Sequence, residues 1–301
     1  LLSRKNKLFL WKLASLISVV RGYNILIIVT AQYLASVYIL APGRLLSEVL
    51  FDPQLFLLVF ASALAIASGY LINNFYDADK DLINRPRKTL LDNYISQNTK
   101  LAVYFILNFL SVILASAVSF RAVLFFSVYI FFLWLYSHKL KKFPFIGNIT
   151  ASVLAVIPFF AVFIYYQNLN PVIFIHATFL FLIISIRELV KDLENFRGDF
   201  AQGYQTIPVV FGNAFTKKII TAITLFAAVP TLTLILGDFP IGYMLYYFIF
   251  AFLVLLIFLY FLWKSQAKIQ YVLLHNLLKF IIVVGAFSII LIDVNVVLER
   301  I

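Results

Sequence analysis

Cysteine is absent from the 301 residues, which excludes a disulfide framework, a thiolate nucleophile and any zinc or iron–sulfur centre built on thiolates. Charge is scarce as well: Asp, Glu, Lys and Arg make up 12% of the chain, against 63% apolar residues and a mean hydropathy of +1.00. Soluble domains carry about 25% charged and about 45–50% apolar residues. The polar surface here is too small to cover a water-soluble globule, and the same figures exclude disorder. Acidic residues are the rarer sign, 13 against 24 basic ones. A net charge of +11 could suggest nucleic acid, but in so apolar a chain it is explained first by the side of a bilayer on which Lys and Arg lie, and no nucleic-acid partner is expected. The three histidines, His138, His176 and His275, are scattered and read as interfacial or packing residues.

Long apolar runs are plentiful. A helix needs about 20 apolar residues to cross the hydrocarbon, and nine runs qualify, near 17–40, 54–76, 101–119, 121–137, 146–166, 171–191, 217–236, 242–263 and 276–297. Stretches such as Leu55–Ala67 and Phe248–Leu262 are apolar all round, unlike the alternating strands of a barrel. The expected fold is therefore an all-α membrane protein, a single polytopic domain over 1–301 with nine transmembrane helices. Arg4, Lys5, Lys7 and Lys12 mark 1–15 as a basic interfacial segment; the apolar stretch after it is too long for a signal peptide and lacks a small-residue cleavage site. With the N-terminus inside, the cytoplasmic segments are the N-terminal stretch and loops 77–100, 138–145, 187–218 and 264–275. Together with Arg21 and Lys279 at helix ends, they hold every basic residue except Arg44, Arg121 and Arg300. That asymmetry sets the expected orientation.

Carboxylates beside membrane spans are costly and point to function. One cluster closes the second run: Asn73, Asp77 and Asp81 recur at i, i+4 and i+8, so a continuing helix projects them from one face about 6 Å apart. Pro86 is expected to end that helix, and Arg85, Arg87 and Lys88 add a cationic turn. A second cluster closes the sixth run, with Glu188, Asp192, Asn195 and Asp199 again on one face. Both runs travel in the same direction, so the two oxygen-rich faces end on the same side and can oppose each other. Opposed carboxylates repel unless cations lie between them, and hard oxygen ligands suit Mg2+. With adjacent Lys and Arg as a phosphate clamp, the implied ligand is an isoprenyl diphosphate, whose tail belongs in lipid.

The pattern Asn73-x-x-x-Asp77-x-x-x-Asp81 followed by Ile83-Asn84-Arg85-Pro86 resembles the first aspartate motif of the UbiA superfamily of intramembrane prenyltransferases. Three further features agree: Arg21-x-x-Asn24; Tyr136-Ser137-x-Lys139-Leu140-Lys141 with Pro144 and Gly147-Asn148; and Arg187-Glu188-x-x-Lys191-Asp192 leading to Gly198-Asp199. The resemblance covers about 15–297. It implies nine helices around a central cavity, a cytoplasmic cap over the motifs and a lateral opening for the prenyl chain. It assigns Asp77, Asp81 and Asp199 to Mg2+, and Lys139, Arg197, Arg85 and Lys88 to the diphosphate. Asn73 and Tyr136 are placed near the reacting allylic carbon, and Arg21 and Asn24 at the diphosphate or the acceptor. The family's second motif has an aspartate where this chain has Asn195, so Asp192, one turn earlier, becomes a candidate metal ligand beside it.

The Tyr136–Lys141 and Arg187–Asp192 segments look most like the archaeal-type ether-lipid branch, which transfers geranylgeranyl to geranylgeranylglyceryl phosphate. Aromatic acceptors such as 4-hydroxybenzoate are the alternative. The expected partners are an isoprenyl diphosphate, a lipophilic acceptor and membrane lipid, with no obligatory protein partner, in the cytoplasmic membrane of a prokaryote with the site facing the cytoplasm. Two other classes compete. An intramembrane aspartyl protease needs aspartates in mid-membrane, and a transporter needs ionisable groups beside midplane helix breaks. Neither pattern is present, and Pro158 and Pro230 read as kinks shaping a cavity.

Overall fold

A computed structural model describes residues 4–237 and 239–295 of the chain, and all regular elements among them are helical. Arg300, expected on the outer face, and the end of the ninth run lie outside these residues. The first helix, α1 (Arg4–Val20), leaves Leu8, Phe9 and Trp11 exposed beside its lysines, as an interfacial helix would. It stops at Arg21, whose backbone is left-handed (φ 52°, ψ 54°). The first crossing therefore begins at Gly22 rather than at 17, because a left-handed residue cannot continue a right-handed helix. That crossing, α2 (Gly22–Ala35), is extended by a π-turn over Ser36–Leu40.

A short α3 (Leu46–Leu50) leads to α4 (Pro53–Tyr76). Asp52 caps α4, its Oδ1 accepting from Gln54 N at 2.9 Å and Leu55 N at 3.3 Å, with Pro53 in the first turn. Two short helices follow, α5 (Ala78–Asn84) and α6 (Pro86–Asp92). The break between them lies at Arg85 (φ −142°), and Pro86 starts α6 instead of ending its predecessor. The remaining helices are α7 (Gln97–Val118), α8 (Phe120–His138), α9 (Ile146–Tyr166), α10 (Pro171–Ala201), α11 (Ile207–Leu236), α12 (Met244–Lys264) and α13 (Lys268–Ser288). Among the described residues, nine helices are long and apolar enough to cross a membrane: α2 with its π-turn, α4, and α7 to α13.

Two expected loops prove largely helical. The 31 residues of α10 rise about 46 Å, well beyond the hydrocarbon thickness. The helix therefore runs on through the second motif, and 187–218 is helix apart from the turn 202–206 and a break in α11 at Gly212 (φ 81°). The stretch 77–100 likewise holds α5 and α6.

The two motif helices form the centre. The apolar stretch of α4 is 67% buried and that of α10 is 50% buried, against 17% for the peripheral α7. Ala61, Ala65 and Ser62 let α4 approach its neighbours closely, and Ser111 of α7 donates to the Ala61 carbonyl at 2.8 Å. Large apolar side chains face outward elsewhere, among them Phe109, Leu124 and Leu225, as lipid contact requires.

Proline creates a polar debt inside the bundle. Pro158 in α9 has no N–H, so the Leu154 carbonyl one turn earlier loses its helical donor. The hydroxyl of Tyr129 on α8 donates to it at 3.1 Å, and Gln32 of α2 donates to the Pro158 carbonyl at 2.8 Å. Near the motif end, buried Asp92 accepts from Ser18 at 2.8 Å and Asn74 at 3.1 Å and pairs with Lys88 at 3.3 Å, joining α1, α4 and α6. Replacing Tyr129 with Phe leaves the Leu154 carbonyl unpaired in a dry environment. Equilibrium unfolding in mixed micelles should show a loss of about 1 kcal/mol, and unchanged stability would contradict this role.

Candidate active site

The stripe expected at the end of α4 is present. Asp77 loosens the helix (φ −93°, ψ 4°), yet the main-chain ladder continues: Asp77 N bonds Asn73 O at 3.0 Å, Asp81 N bonds Asp77 O at 2.8 Å and Arg85 N bonds Asp81 O at 2.7 Å. Asn73, Asp77 and Asp81 thus stay on one face. On α10, Asp192, Asn195 and Asp199 share a face as the spacing predicts, and α5 packs against it.

Asp77 is buried, and its Oδ1 meets the ammonium groups of Lys141 at 2.8 Å and Lys80 at 3.0 Å and the Tyr204 hydroxyl at 3.3 Å. Lys80 also reaches Asp199 Oδ1 at 3.5 Å, an ion-pair contact that bridges the two motifs. Lys141 donates to Asn73 Oδ1 at 3.1 Å. Burial alone would push the Asp77 carboxyl up, but Lys141 and Lys80 hold it well below the usual carboxylate range. Burial works against the Lys80 ammonium, yet Asp77 and Asp199 hold its pKa above the ordinary lysine value. At half-buried Asp81, burial and the charge of Asp77 together raise the pKa.

Asn195 and Asp199 are buried; Asn195 Oδ1 has no hydrogen-bond partner among the described residues, and Asp199 Oδ1 has only its 3.5 Å ion-pair contact with Lys80. Asp192 accepts from Asn148 Nδ2 at 2.7 Å through Oδ2. Buried oxygens short of donors, facing an anionic helix end, are a donor set for a hard cation. No three acidic or histidine side chains converge on a single point among the described residues. The Lys80 ammonium already stands between Asp77 and Asp199, so a divalent ion would have to share or take its position. The donor chemistry fits Mg2+.

Two of the residues expected at the diphosphate lie on the surface. Lys139 and Arg197 are exposed. The first lies on the turn leaving α8, where a 3-10 turn over Leu140–Lys142 carries Lys141 inward instead; the second is on the outer side of α10. Lys88 pairs with Asp92, and Arg85 pairs with Glu194 at 3.1 Å. Arg21 lies over the Tyr70 ring at 5.1 Å, and Asn24 donates to the Tyr70 hydroxyl at 3.2 Å. Lys80, which spacing alone did not single out, does carry a signal in the sequence, since it lies three residues after Asp77 on the same helix face. Tyr204, in the turn after α10, carries none.

The motifs also lock together through the backbone. Asn84 Oδ1 accepts from Gly198 N at 3.1 Å, and a Cβ at 198 would lie 2.3 Å from Asn84 Nδ2. Only glycine lets the Asn84 amide rest on α10.

Below the motifs lies a cavity of about 440 Å³. Asn73, Tyr136, Arg21, Asn24 and Arg85 line one end, and Leu40, Ile173, Met244 and Ile289 line the other. From Arg21 to Leu40 the wall follows about 28 Å of helix. A long, mainly apolar channel whose polar end reaches Asn73, one helical turn before Asp77, fits an intramembrane enzyme that takes a lipid-tailed anion.

The chain belongs to the UbiA prenyltransferase family, which it matches over residues 26–284. It is 31% identical to a digeranylgeranylglyceryl phosphate synthase of Thermococcus sibiricus over 63% of this chain and 66% of that protein. A protein of the same description from Methanobrevibacter smithii is 30% identical over 69% of this chain and 75% of its own length. Two solved structures show the fold. The first, described as giving structural and mechanistic insights into digeranylgeranylglyceryl phosphate synthase in membranes, has a TM-score of 0.68 at 24% identity and covers 93% of this chain and 97% of its own. A UbiA homolog from Archaeoglobus fulgidus bound to GPP and Mg2+ has a TM-score of 0.66 at 15% identity, covering 92% and 99%. The protein is thus an integral, multi-pass membrane prenyltransferase. The transporter and protease readings are set aside.

The Asn84–Gly198 contact yields a double-mutant test. Gly198→Ala alone should cut prenyl transfer at least about tenfold, whereas adding it to Asn84→Ala should cost far less, a coupling of about 1–3 kcal/mol. Additive losses would show that the two residues do not act through each other.

Proposed function

We propose that the chain transfers a geranylgeranyl group from its diphosphate to geranylgeranylglyceryl phosphate, in a Mg2+-dependent reaction of ether-lipid synthesis. The observation that carries the site assignment is the Asp77–Lys80–Asp199 bridge together with the unpartnered Oδ1 of buried Asn195 on the same face of α10. The acceptor rests on the likeness to the synthases and on the cationic cavity mouth. The site faces the cytoplasm in this reading, with α5 and α6 as its cap, in the cytoplasmic membrane of a prokaryote.

The donor's allylic C–O bond breaks with its electron pair moving onto the diphosphate. The acceptor hydroxyl oxygen bonds to the allylic carbon and releases its proton, giving an ether and inorganic diphosphate. Stabilising the departing anion governs the rate. Lys141 and Lys80 lie where their ammonium groups can pair with it. The Asn73 amide oxygen and the Tyr136 ring border the cavity just below, suited to a cationic allyl group. When bound, Mg2+ would neutralise charge on the diphosphate, held by Asp77, Asp81 and Asp199, with Asp192 and Asn195 completing the second motif. The apolar channel takes the prenyl tail and keeps water from the carbocation.

Parallel assays decide the acceptor. Purified protein given geranylgeranyl diphosphate and Mg2+ should prenylate geranylgeranylglyceryl phosphate and leave 4-hydroxybenzoate untouched, and the opposite preference would overturn the assignment. Asp77→Asn, Asp81→Asn and Asp199→Asn should each lower the rate by about 10²–10³ while the variants stay folded. Asp192→Asn removes a charge and Asn195→Ala only a neutral ligand, so a Mg2+ titration of initial rates should shift further for the first. A shift confined to Asn195→Ala would show Asp192 to be a bystander.

A further inference from the structure

The cavity mouth carries more positive charge than the donor site uses. Its wall presents Arg21, Arg85, Arg187, Lys191 and Lys279, with Glu188 as the one carboxylate among the lining residues. Glu188 is already engaged by Arg187 at 2.7 Å and Lys191 at 2.6 Å. Glu194, a further carboxylate nearby, is engaged by Arg85 at 3.1 Å and by His275 Nδ1 at 2.8 Å. Lys279 on α13 lines the same wall and has no ion-pair or hydrogen-bond partner among the described residues. The charged groups acting on it include the cations Arg21, Arg187 and Arg85 and the carboxylate Glu194. The Nε atom of Arg187 is buried and unpaired. Clustered cations on the wall of a membrane-embedded cavity are costly unless an anion joins them.

This cluster is distinct from the two lysines bound to Asp77, although Arg21 and Arg85 lie within electrostatic reach of Asp81. Lys80 and Lys141 are tied to Asp77, one helical turn past Asn73, whereas Arg21 and Arg187 gather around Tyr70. Tyr136 lines the cavity within electrostatic reach of Glu188 and Asp192 as well as Asp77 and Lys80. A nucleophile that reaches the allylic cation on the face not covered by the departing diphosphate avoids that anion's charge. An acceptor alcohol whose own phosphate sits on a neighbouring carbon would bring that phosphate to the second cluster.

We infer that Lys279 and Arg187, with Arg21 across the cavity, form a second anion site that binds the phosphomonoester of the acceptor. The site sets the preference for a phosphorylated glyceryl ether over its neutral alcohol. The inference rests on the proposed donor site and deepens the acceptor reading.

Steady-state kinetics with geranylgeranylglyceryl phosphate and its dephosphorylated alcohol test it. Lys279→Met should raise the KM of the phosphorylated acceptor by about tenfold or more and leave the KM of the diphosphate donor unchanged, and Lys279→Arg should restore it. Arg187→Met should act in the same direction. The wild-type preference for the phosphorylated acceptor should shrink by the same factor in Lys279→Met. A rise in donor KM would assign the cluster to the donor, and an unaltered preference would remove it from acceptor recognition; either overturns the inference. Failure of the acceptor reading itself is visible in the wild type alone, as prenylation of 4-hydroxybenzoate and of neither glyceryl ether.

Discussion

Carboxylates carried by two helices to the same end of a membrane bundle repel one another, and the cations that hold them together are the constraint on which the site depends. Asp77 and Asp199 come from opposite sides, and Lys80 reaches both. In a dry setting such repulsion would drive the helices apart. The Lys80 bridge, the Lys141 contact and the Asn84–Gly198 latch offset it. In the proposed reaction, the same charge balance that keeps α5 against α10 would receive the diphosphate and its metal.

The hydrocarbon imposes the rest of the architecture. Helix α10 must cross the membrane and also deliver Asp192, Asn195 and Asp199 beyond it, so it runs to 31 residues as one rigid rod. Helix α4 is interrupted at Asp77, and the short helices α5 and α6 fold back to pair Arg85 with Glu194 and to set Asp92 against Ser18 and Asn74. Pro158 could have opened a polar gap in the cavity wall, but Tyr129 and Gln32 satisfy the carbonyls around it. The wall is mainly apolar along its length, with His176, Tyr129 and Tyr247 as polar exceptions, and its charged groups gather at the mouth.

The crossings were legible in the sequence because span length and apolar runs are set by membrane thickness, and the carboxylate stripes because helical spacing outlasts a loosened turn. What stayed hidden depends on local rotation. Whether Lys139 or Lys141 turns inward follows from a 3-10 turn, and the left-handed Arg21 that delays the first crossing has no marker such as glycine at its own position. The second motif reads as a loop by hydropathy, because its charges end the apolar run, yet the helix carries on through them. Asn84 and Gly198 were visible as motif residues, but their contact appears only when α5 meets α10.

The central claim is that the opposed carboxylates bind the donor through a divalent cation. Binding of geranylgeranyl thiodiphosphate, whose reacting bond ionises poorly, measures this without turnover. With Mg2+ present the purified protein should bind the analogue at least about a hundredfold more tightly than in chelator. Equal affinity in the two conditions would contradict the account.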